Sequence, residues 1–358
     1  KKSLLILLFT CWALFFAAFR PVMPFAAETA AFPDGTPVTG GRILMGTIGE
    51  PSNLIPYMAS DSASGEITGL LYVAPLKYDK DLNVVPWAAA SYEVLEGGRL
   101  LRFVLRDDIR WEDGVPLTAD DVEFTYKLMI DPKTPTAYSG DFLAIESFKK
   151  TGRLSFEVRY AKPFARSLMT WMGAILPKHV LEGQDIMTTP VARKPIGAGP
   201  YRLAKWDAGS MLTLTASDTY FEGRPNLDEV VYRIIPDPST MFLELKAGKL
   251  DMMSLSPQQY LRQTQGPQWE RDWRKYRYLS FSYTFLGFNL EHPFFKDVRV
   301  RRAISMAIDR QSLIDGVLLG QGVPTVGPYK PGTWAYNDKL TPVRQDVDEA
   351  RRLLDEAG

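Results

Sequence analysis

Alternating apolar and polar residues predict short β-strands along much of the chain. Residues 154–160 alternate without interruption, which is typical of a strand with one buried and one exposed face. Apolar runs rich in β-branched and aromatic residues, each bounded by turn-forming residues, predict further strands. These strands are expected over residues 42–48, 100–106, 211–215, 230–235 and 283–290.

Helical spacing and capping residues predict helices between these strands. Thr118 and Asp121 form a capping box, and apolar residues then recur at intervals of three and four until Asp131 precedes a proline. Other caps predict helices that begin at Ser239 or Thr240, Asp297, Asp309 and Asp346. The last of these helices is expected to end at Gly358.

The order of the elements predicts the fold class. Strands and helices mix without a regular βαβ rhythm, which predicts an α/β fold with mixed sheets. The interval between Gly49 and Ile196 is too long for a loop, so it predicts an inserted domain. The 358 residues are enough for two domains or one large two-lobed body.

The first residues have the pattern of an export signal. Lys1 and Lys2 precede an apolar run over residues 4–19, which is short for a membrane span. Small residues at 26 and 27 indicate a cleavage site, so residues 1–27 are interpreted as a signal peptide and 28–40 as a flexible segment. The protein is therefore expected in the periplasm. An uncleaved leader that anchors it in the membrane is the alternative.

Charge and cysteine content narrow the function classes. Basic and acidic residues number 42 each, which gives no reason to expect nucleic acid or acidic lipid as the main partner. The single cysteine, Cys11, lies inside the predicted leader. A mature chain without thiols suits an oxidising compartment. Lipidation of Cys11 is a less favoured alternative, because Thr10 is a poor residue just before a lipoprotein cysteine.

Residues that carry catalysis or bind metals are sparse. The two histidines, His179 and His292, have no His, Cys or carboxylate at ligand spacing, so no metal site is predicted. The acid pairs at 112–113 and 120–121 are interpreted as turn and capping residues, not as a hydrolytic pair. Basic and aromatic residues at 271–278 are interpreted as a solvated connector, not as a nucleic-acid surface. We therefore predict neither an enzyme nor a cofactor.

Four groups of motifs, in order along the chain, resemble the family 5 extracellular solute-binding proteins, the dipeptide- and oligopeptide-binding group of ABC importers. They are F-x-L-R at 103–106 with W-x-D-G-x-P-L-T-A-x-D-V-x-F-T at 111–125, P-x-G-x-G-P-Y at 195–201 with Y-x-x-G-x-P-x-L-D at 220–228, I-P-D at 235–237 with L-x-x-G-x-x-D at 245–251, and F-N at 288–289 with A-I-D-R at 307–310. Each motif alone is moderately specific. Because the four groups occur in the family's order over nearly the whole mature chain, the resemblance as a whole is specific.

The resemblance implies a bilobal periplasmic-binding-protein fold of the class II, cluster C type, with mixed sheets and an inserted extra domain. Lobe I would comprise residues 41–55 and 194–272, the inserted domain II residues 56–193, and a partial lobe III residues 273–358. Family members continue well beyond the counterpart of Gly358, so the resemblance implies a C-terminally truncated chain. The missing part of lobe III would include the acid that pairs with the amino terminus of a bound peptide.

The resemblance also implies a function. Such proteins capture peptides or peptide-like solutes in an interlobe cleft and deliver them to ABC permease subunits, and this one is expected to act as a monomer. By position in the family's pattern, Glu50, Tyr138 and Asn289 are candidate ligand-binding residues. Each also has an ordinary structural interpretation: Glu50 and Asn289 in turns, Tyr138 packed in domain II.

Three alternatives stay open. The first is a family 5 protein for another solute, such as a nickel chelate, haem, an oligosaccharide or an opine. The second is a truncated remnant that binds nothing. The third and least favoured is an enzyme such as a cell-wall hydrolase, for which the sequence offers no catalytic motif.

Overall fold

The computed structural model describes residues 37–333 and 335–358, which form two compact units. The first unit extends to Ser254, and the second begins at Leu255. The predicted leader with Cys11, and residues 28–36 of the predicted flexible segment, lie outside the described residues. In the part of the chain that is described, no helix is both long enough and apolar enough to cross a membrane.

The strands of the described chain all lie in the first unit. They are β1 (Arg42–Thr47), β2 (Leu76–Tyr78), β3 (Val84–Pro86), β4 (Ala89–Leu95), β5 (Leu100–Leu105), β6 (Ile145–Lys150), β7 (Ser155–Tyr160), β8 (Tyr201–Asp207), β9 (Met211–Ala216) and β10 (Glu229–Ile234). Its α-helices are Ser62–Leu71, Ala119–Ile130, Ser139–Leu143, Ser167–Thr170, Lys178–Leu181 and Pro238–Lys246, with 3-10 turns at Glu96–Gly98 and Pro190–Ala192.

The strands form two four-stranded sheets and a two-stranded ribbon. The first sheet has the order β1-β10-β9-β8, in which β1 runs parallel to β10 and the other pairs are antiparallel. The second sheet has the order β4-β5-β7-β6 and is antiparallel throughout. Strands β2 and β3 form the ribbon. The predicted α/β class with mixed sheets is confirmed.

One hydrophobic core extends through the first unit and contacts both sheets. In the second sheet, β5 and β7 place Phe103 opposite Phe156, and the two rings stack with their centroids 4.8 Å apart. Trp171 packs on the same pair, with its ring 5.3 Å from that of Phe156. Leu212 and Leu214 of β9 bring the first sheet into this core. Because both sheets share buried side chains, they support each other's position.

A close backbone contact joins helix Ser62–Leu71 to the segment just before β8. Gly197 and Gly199 lie just before β8 and pack on the end of helix Ser62–Leu71. A Cβ atom on Gly197 would lie 2.0 Å from the carbonyl oxygen of Leu71, and the Gly199 N–H donates to that same oxygen at 2.8 Å. Only glycine permits this approach.

Most caps are where the sequence places them. The Thr118 and Asp121 capping box is formed, and the helix that it begins ends at Asp131. The helix predicted from Ser239 or Thr240 begins earlier, at Pro238, because Asp237 is its N-cap and accepts a hydrogen bond from the Thr240 N–H. The sequence prediction overlooked Asp237 followed by Pro238 as a helix start. Proline is favoured at the first helical position because it has no N–H that would need a partner there.

The regular secondary structure described in the second unit is helical, and much of the rest of that unit has no regular structure. Its helices are Pro267–Asp272, Pro293–Lys296, Val298–Ala307, Arg310–Gly316 and Val347–Ala357, with a π-helical turn at Gln259–Gln263. Asp297, Asp309 and Asp346 cap three of them, as predicted. Helices Val298–Ala307 and Val347–Ala357 pack together around a small buried cluster of Ala303, Ala350 and Leu353.

The strand predicted over residues 283–290 is wrong. This segment has no regular secondary structure, and Phe285 and Leu286 are 72% and 58% exposed. A strand needs a neighbouring strand to satisfy its backbone groups, and within the described residues none pairs with this segment. Its apolar pattern is present, but the pairing that turns such a pattern into a strand is missing.

Candidate functional site

The first unit contains a pocket of about 350 Å³. That volume falls within the roughly 300–1,000 Å³ range that small ligands occupy. Its walls come from several separate stretches of the chain, which the fold brings together. They are the loop after β1 at 53–59, helix Ser62–Leu71 with the residues that follow it to 74, Trp87, Tyr138, and the loop at 172–174.

Helix Ser62–Leu71 forms one wall. Its sequence is rich in small residues, yet it folds as a helix for two reasons. Asp61 caps its start by accepting a hydrogen bond from the Ser64 N–H at 2.8 Å. Ile67 and Leu71 are each only 1% exposed and fix its inner face to the core. Less buried residues of the helix, together with Ser64, line the pocket.

Tyr57 lies between the pocket and the core in an unusual backbone conformation. Its φ angle is +71°, a left-handed value that is strained for a bulky residue. Its hydroxyl donates to the Ala174 carbonyl oxygen at 2.8 Å, and burial raises the pKa of this phenol. A Cβ atom on Gly173 would lie 2.2 Å from that hydroxyl oxygen. The surroundings thus hold Tyr57 in its strained position, as is common at ligand-binding sites.

Tyr138 forms the outer edge of the pocket. It is 46% exposed, and its ring meets that of Tyr57 edge to face with the centroids 6.0 Å apart. Its hydroxyl has no hydrogen-bond partner among the described residues, which leaves both a donor and an acceptor available. Of the three predicted site residues, Tyr138 lines this pocket. That it contacts a ligand stays a prediction.

Tyr72 lines the deep side of the pocket. The residue is 2% exposed, and in the described part of the chain its hydroxyl finds no hydrogen-bond partner. Burial, together with the nearby carboxylate of Glu112, raises the pKa of this hydroxyl. Burial also raises the pKa of Glu112 itself to about 6. A buried hydroxyl without a partner costs about 1–3 kcal/mol, so this feature calls for a functional or packing reason.

Trp87 lines another side, and its polar atom is occupied. Its Nε1–H donates to the Tyr220 hydroxyl at 2.9 Å and to a Glu222 oxygen at 3.2 Å. Glu222 also forms an ion pair with Lys77 at 2.7 Å. The charges near Trp87 therefore neutralise each other, and the ring presents mainly its apolar surface to the pocket.

Glu50, the second predicted site residue, lies outside the lining of this pocket. One carboxylate oxygen accepts from Trp206 Nε1 at 2.7 Å, and the other accepts from the Gly209 N–H at 3.1 Å. The Arg193 guanidinium stacks 3.9 Å from the Trp206 ring centroid and lies 3.6 Å from Glu50. Glu50 thus ties the end of β1 to strand β8 and the turn after it. A ligand contact by Glu50 stays a prediction.

Asn289, the third predicted site residue, belongs to the second unit. Its Oδ1 accepts a hydrogen bond from the Glu291 N–H at 3.0 Å, in the turn that precedes helix Pro293–Lys296. Its role as a ligand contact also stays a prediction. The structure places Tyr138 and Glu50 in the first unit and Asn289 in the second.

The other residues that could take part in catalysis or bind a metal form hydrogen bonds that stabilise the local structure. His179 Nε2 lies 2.7 Å from Asp113 Oδ2, a pairing across 66 residues that the sequence did not reveal. Asp113 also closes the predicted turn by accepting from the Val115 N–H. His292 caps helix Pro293–Lys296. Within the described residues, no three His, Cys, Asp or Glu side chains are grouped so as to hold a metal ion.

Comparisons of this chain with known proteins agree on one family. Residues 83–358 match the family described as "Bacterial extracellular solute-binding proteins, family 5 Middle". The oligopeptide-binding protein AppA of Bacillus subtilis is 32% identical over 332 residues, which covers 90% of this chain and 60% of that protein. The chain thus spans about 60% of the length of the first curated relatives that it matches.

Two solved structures support the same assignment. That of Bacillus subtilis AppA in complex with a nonapeptide is 31% identical with a TM-score of 0.81, over 90% of this chain and 65% of that one. That of NikZ from Campylobacter jejuni in complex with Ni(L-His) is 26% identical with a TM-score of 0.77, over 88% and 63%. This chain belongs to the family 5 bacterial extracellular solute-binding proteins.

Proposed function

We propose that this protein is the solute-binding component of an ABC importer and that its ligands are peptides or peptide-like solutes. The observation that carries the proposal is the pocket of about 350 Å³ in a unit whose fold resembles that of a protein solved with a bound nonapeptide. The function is capture and release, with no bond made or broken.

The pocket's chemistry supports peptides. Ligand sites are mostly apolar with a few polar groups that fix orientation. This one combines aromatic rings with the hydroxyl of Tyr138, which has no partner in the described part of the chain. An extended peptide offers backbone donors and acceptors that such a hydroxyl can meet. On this proposal Tyr138, Glu50 and Asn289 are the residues to test for ligand contact. Closure of two lobes over the ligand then shifts the population toward the form that docks on the permease.

The proposal includes the protein's location and partners. It would act as a monomer in the periplasm after removal of residues 1–27, and it would hand its ligand to ABC permease subunits. Its lobes would divide at the boundaries predicted from the sequence. The family's description as extracellular supports export.

The test is to identify the natural ligand. The longest natural form that contains this chain would be purified from the cell envelope, and its bound molecules released by mild denaturation for mass spectrometry. We expect peptides. Recovery from the cytoplasm only, or a bound solute of another class, would contradict the proposal.

A second candidate is a metal chelate, because NikZ, solved with Ni(L-His), also matches this chain. With two histidines in the whole sequence, a metal would arrive already held by a small chelator. Thermal unfolding with Ni(L-His) or with peptides separates the two, since only a true ligand raises the midpoint. Stabilisation by Ni(L-His) but by no peptide would favour this second candidate.

A further inference from the structure

We propose that the pocket beside helix Ser62–Leu71 accepts one uncharged side chain, apolar or aromatic, of the bound peptide, and that Gly65 and Gly69 keep it open. The inference rests on the proposed function and makes it more specific. It predicts a preference of this protein among peptides, at a surface built from the first unit alone.

The first support is the absence of charge. Among the described residues, none that lines the pocket is acidic or basic. The polar groups of the helix wall are also occupied: Ser64 Oγ accepts from the Ser52 N–H at 3.0 Å, and Thr68 Oγ1 donates to the Ser64 carbonyl oxygen at 2.8 Å. A charged side chain entering this pocket would leave water and find no partner of opposite charge.

The second support is the pair of glycines in the wall. Glycine is the weakest helix former after proline, and Gly65 and Gly69 lie one turn apart in a ten-residue helix. A Cβ atom at either position would meet nothing within 4 Å, and neither residue has the positive φ that favours glycine. Gly173 and Gly197 differ, because a Cβ atom there would collide with neighbouring atoms. Internal packing therefore does not require Gly65 or Gly69, whereas space for an occupant does.

The third support is that the remaining wall of the pocket is mostly aromatic and apolar. Met172 and the rings of Tyr57, Tyr138 and Trp87 supply apolar and polarisable surface. Rings and thioethers favour aliphatic and aromatic side chains, and flexible methionine tolerates variation in their shape. The chemistry matches residues such as Leu, Met or Phe.

The experiment compares a matched set of peptides. Alanine-based pentapeptides carry Phe, Leu, Asp or Lys at one position, placed at each position in turn, and calorimetry measures their affinity for the longest natural form of the protein. At one position we expect Phe and Leu to bind at least tenfold more tightly than Asp and Lys. Gly69→Leu fills the pocket and should remove that preference. Ser62→Leu is the control, since this exposed residue of the same helix lies outside the pocket.

Each outcome has a defined meaning. If no peptide binds the unaltered protein, the proposed function fails, and this inference fails with it. If peptides bind but the preference is absent, or persists in both Gly69→Leu and Gly65→Leu, the inference alone is wrong. A peptide with photo-leucine at the preferred position gives an independent readout. Cross-links should fall on Met172 or on residues 53–74, and cross-links confined to other parts of the chain contradict the inference.

Discussion

The close approach of Gly197 to helix Ser62–Leu71 gives a sharp prediction, because Gly→Ala should have opposite effects at two nearby sites. At Gly197 the new Cβ atom would lie 2.0 Å from the Leu71 carbonyl oxygen, whereas at Gly69 it would meet nothing within 4 Å. Neither glycine has a positive φ, so backbone conformation does not distinguish them. The two sites differ in whether the new Cβ atom has room.

The magnitudes follow from this geometry. An unstrained C···O contact is about 3.3 Å, so the Leu71 carbonyl would have to move by more than 1 Å. A shift of Leu71 disturbs the hydrogen bond that its carbonyl accepts from the Gly199 N–H at 2.8 Å, and a shift of Gly197 disturbs the one that its carbonyl accepts from the Glu112 N–H at 2.9 Å. Overpacking and weakened bonds together should lower the free energy of unfolding by about 4 kcal/mol. Gly69→Ala should raise it by about 0.5–1 kcal/mol, because alanine favours the helix.

Urea unfolding followed by tryptophan fluorescence measures both effects. With a slope of about 2 kcal/mol per molar, Gly197→Ala should lower the midpoint by roughly 2 M and Gly69→Ala should raise it by roughly 0.4 M. An unaltered midpoint for Gly197→Ala, or a shift of both variants in the same direction, would show that the close contact does not limit residue size at Gly197. An unchanged slope would confirm that the variants differ in stability rather than in the extent of unfolding.

Three further predictions concern other parts of the first unit. Glu50→Ala removes the acceptor for Trp206 and Gly209 and should cost about 2 kcal/mol in thermal unfolding, and an unchanged midpoint would contradict its structural role. Phe156→Ala empties the fully buried centre of the aromatic stack and should cost about 3–5 kcal/mol in urea, whereas a loss below 1 kcal/mol would show that the core is loosely packed. Burial raises the pKa of Glu112 from 4.5 to about 6, so the folded state binds this proton more tightly than the unfolded state does. The stability of the protein relative to Glu112→Gln should therefore fall as the pH rises from 4.5 to 6 and then level off. Parallel stability curves for the two proteins over that range would contradict the assignment.

Local sequence signals predicted the strands and helices whose formation depends on the local sequence alone. Strand β7 follows from strict alternation, and the helix after Thr118 follows from its capping box and the Asp131-Pro132 stop. The same signals failed where tertiary partners decide. Helix Ser62–Leu71 was not predicted because its glycines and serines weaken the helical signal, and it depends on Ile67 and Leu71 being buried. The segment at 283–290 has a strand's composition but no partner strand among the described residues.

The candidate site was predictable only in part. Tyr138 was identified from its position in the family's pattern, and the structure places it at the pocket edge. Tyr57 gave no sequence signal, because its importance comes from a left-handed backbone angle and from contacts with the distant 173–174 loop. The pairing of His179 with Asp113 joins residues that no local spacing relates. Pockets assembled from separate stretches become visible only once the chain is folded.

On the proposed function, the protein binds a peptide and returns it unchanged. Isothermal titration of its longest natural form with a pentapeptide, followed by mass analysis of the recovered ligand, tests this directly. We expect one peptide per protein, a dissociation constant that is roughly micromolar or tighter, and a recovered peptide of identical mass. Cleavage of the peptide, or no binding heat with any peptide of the set, would contradict it.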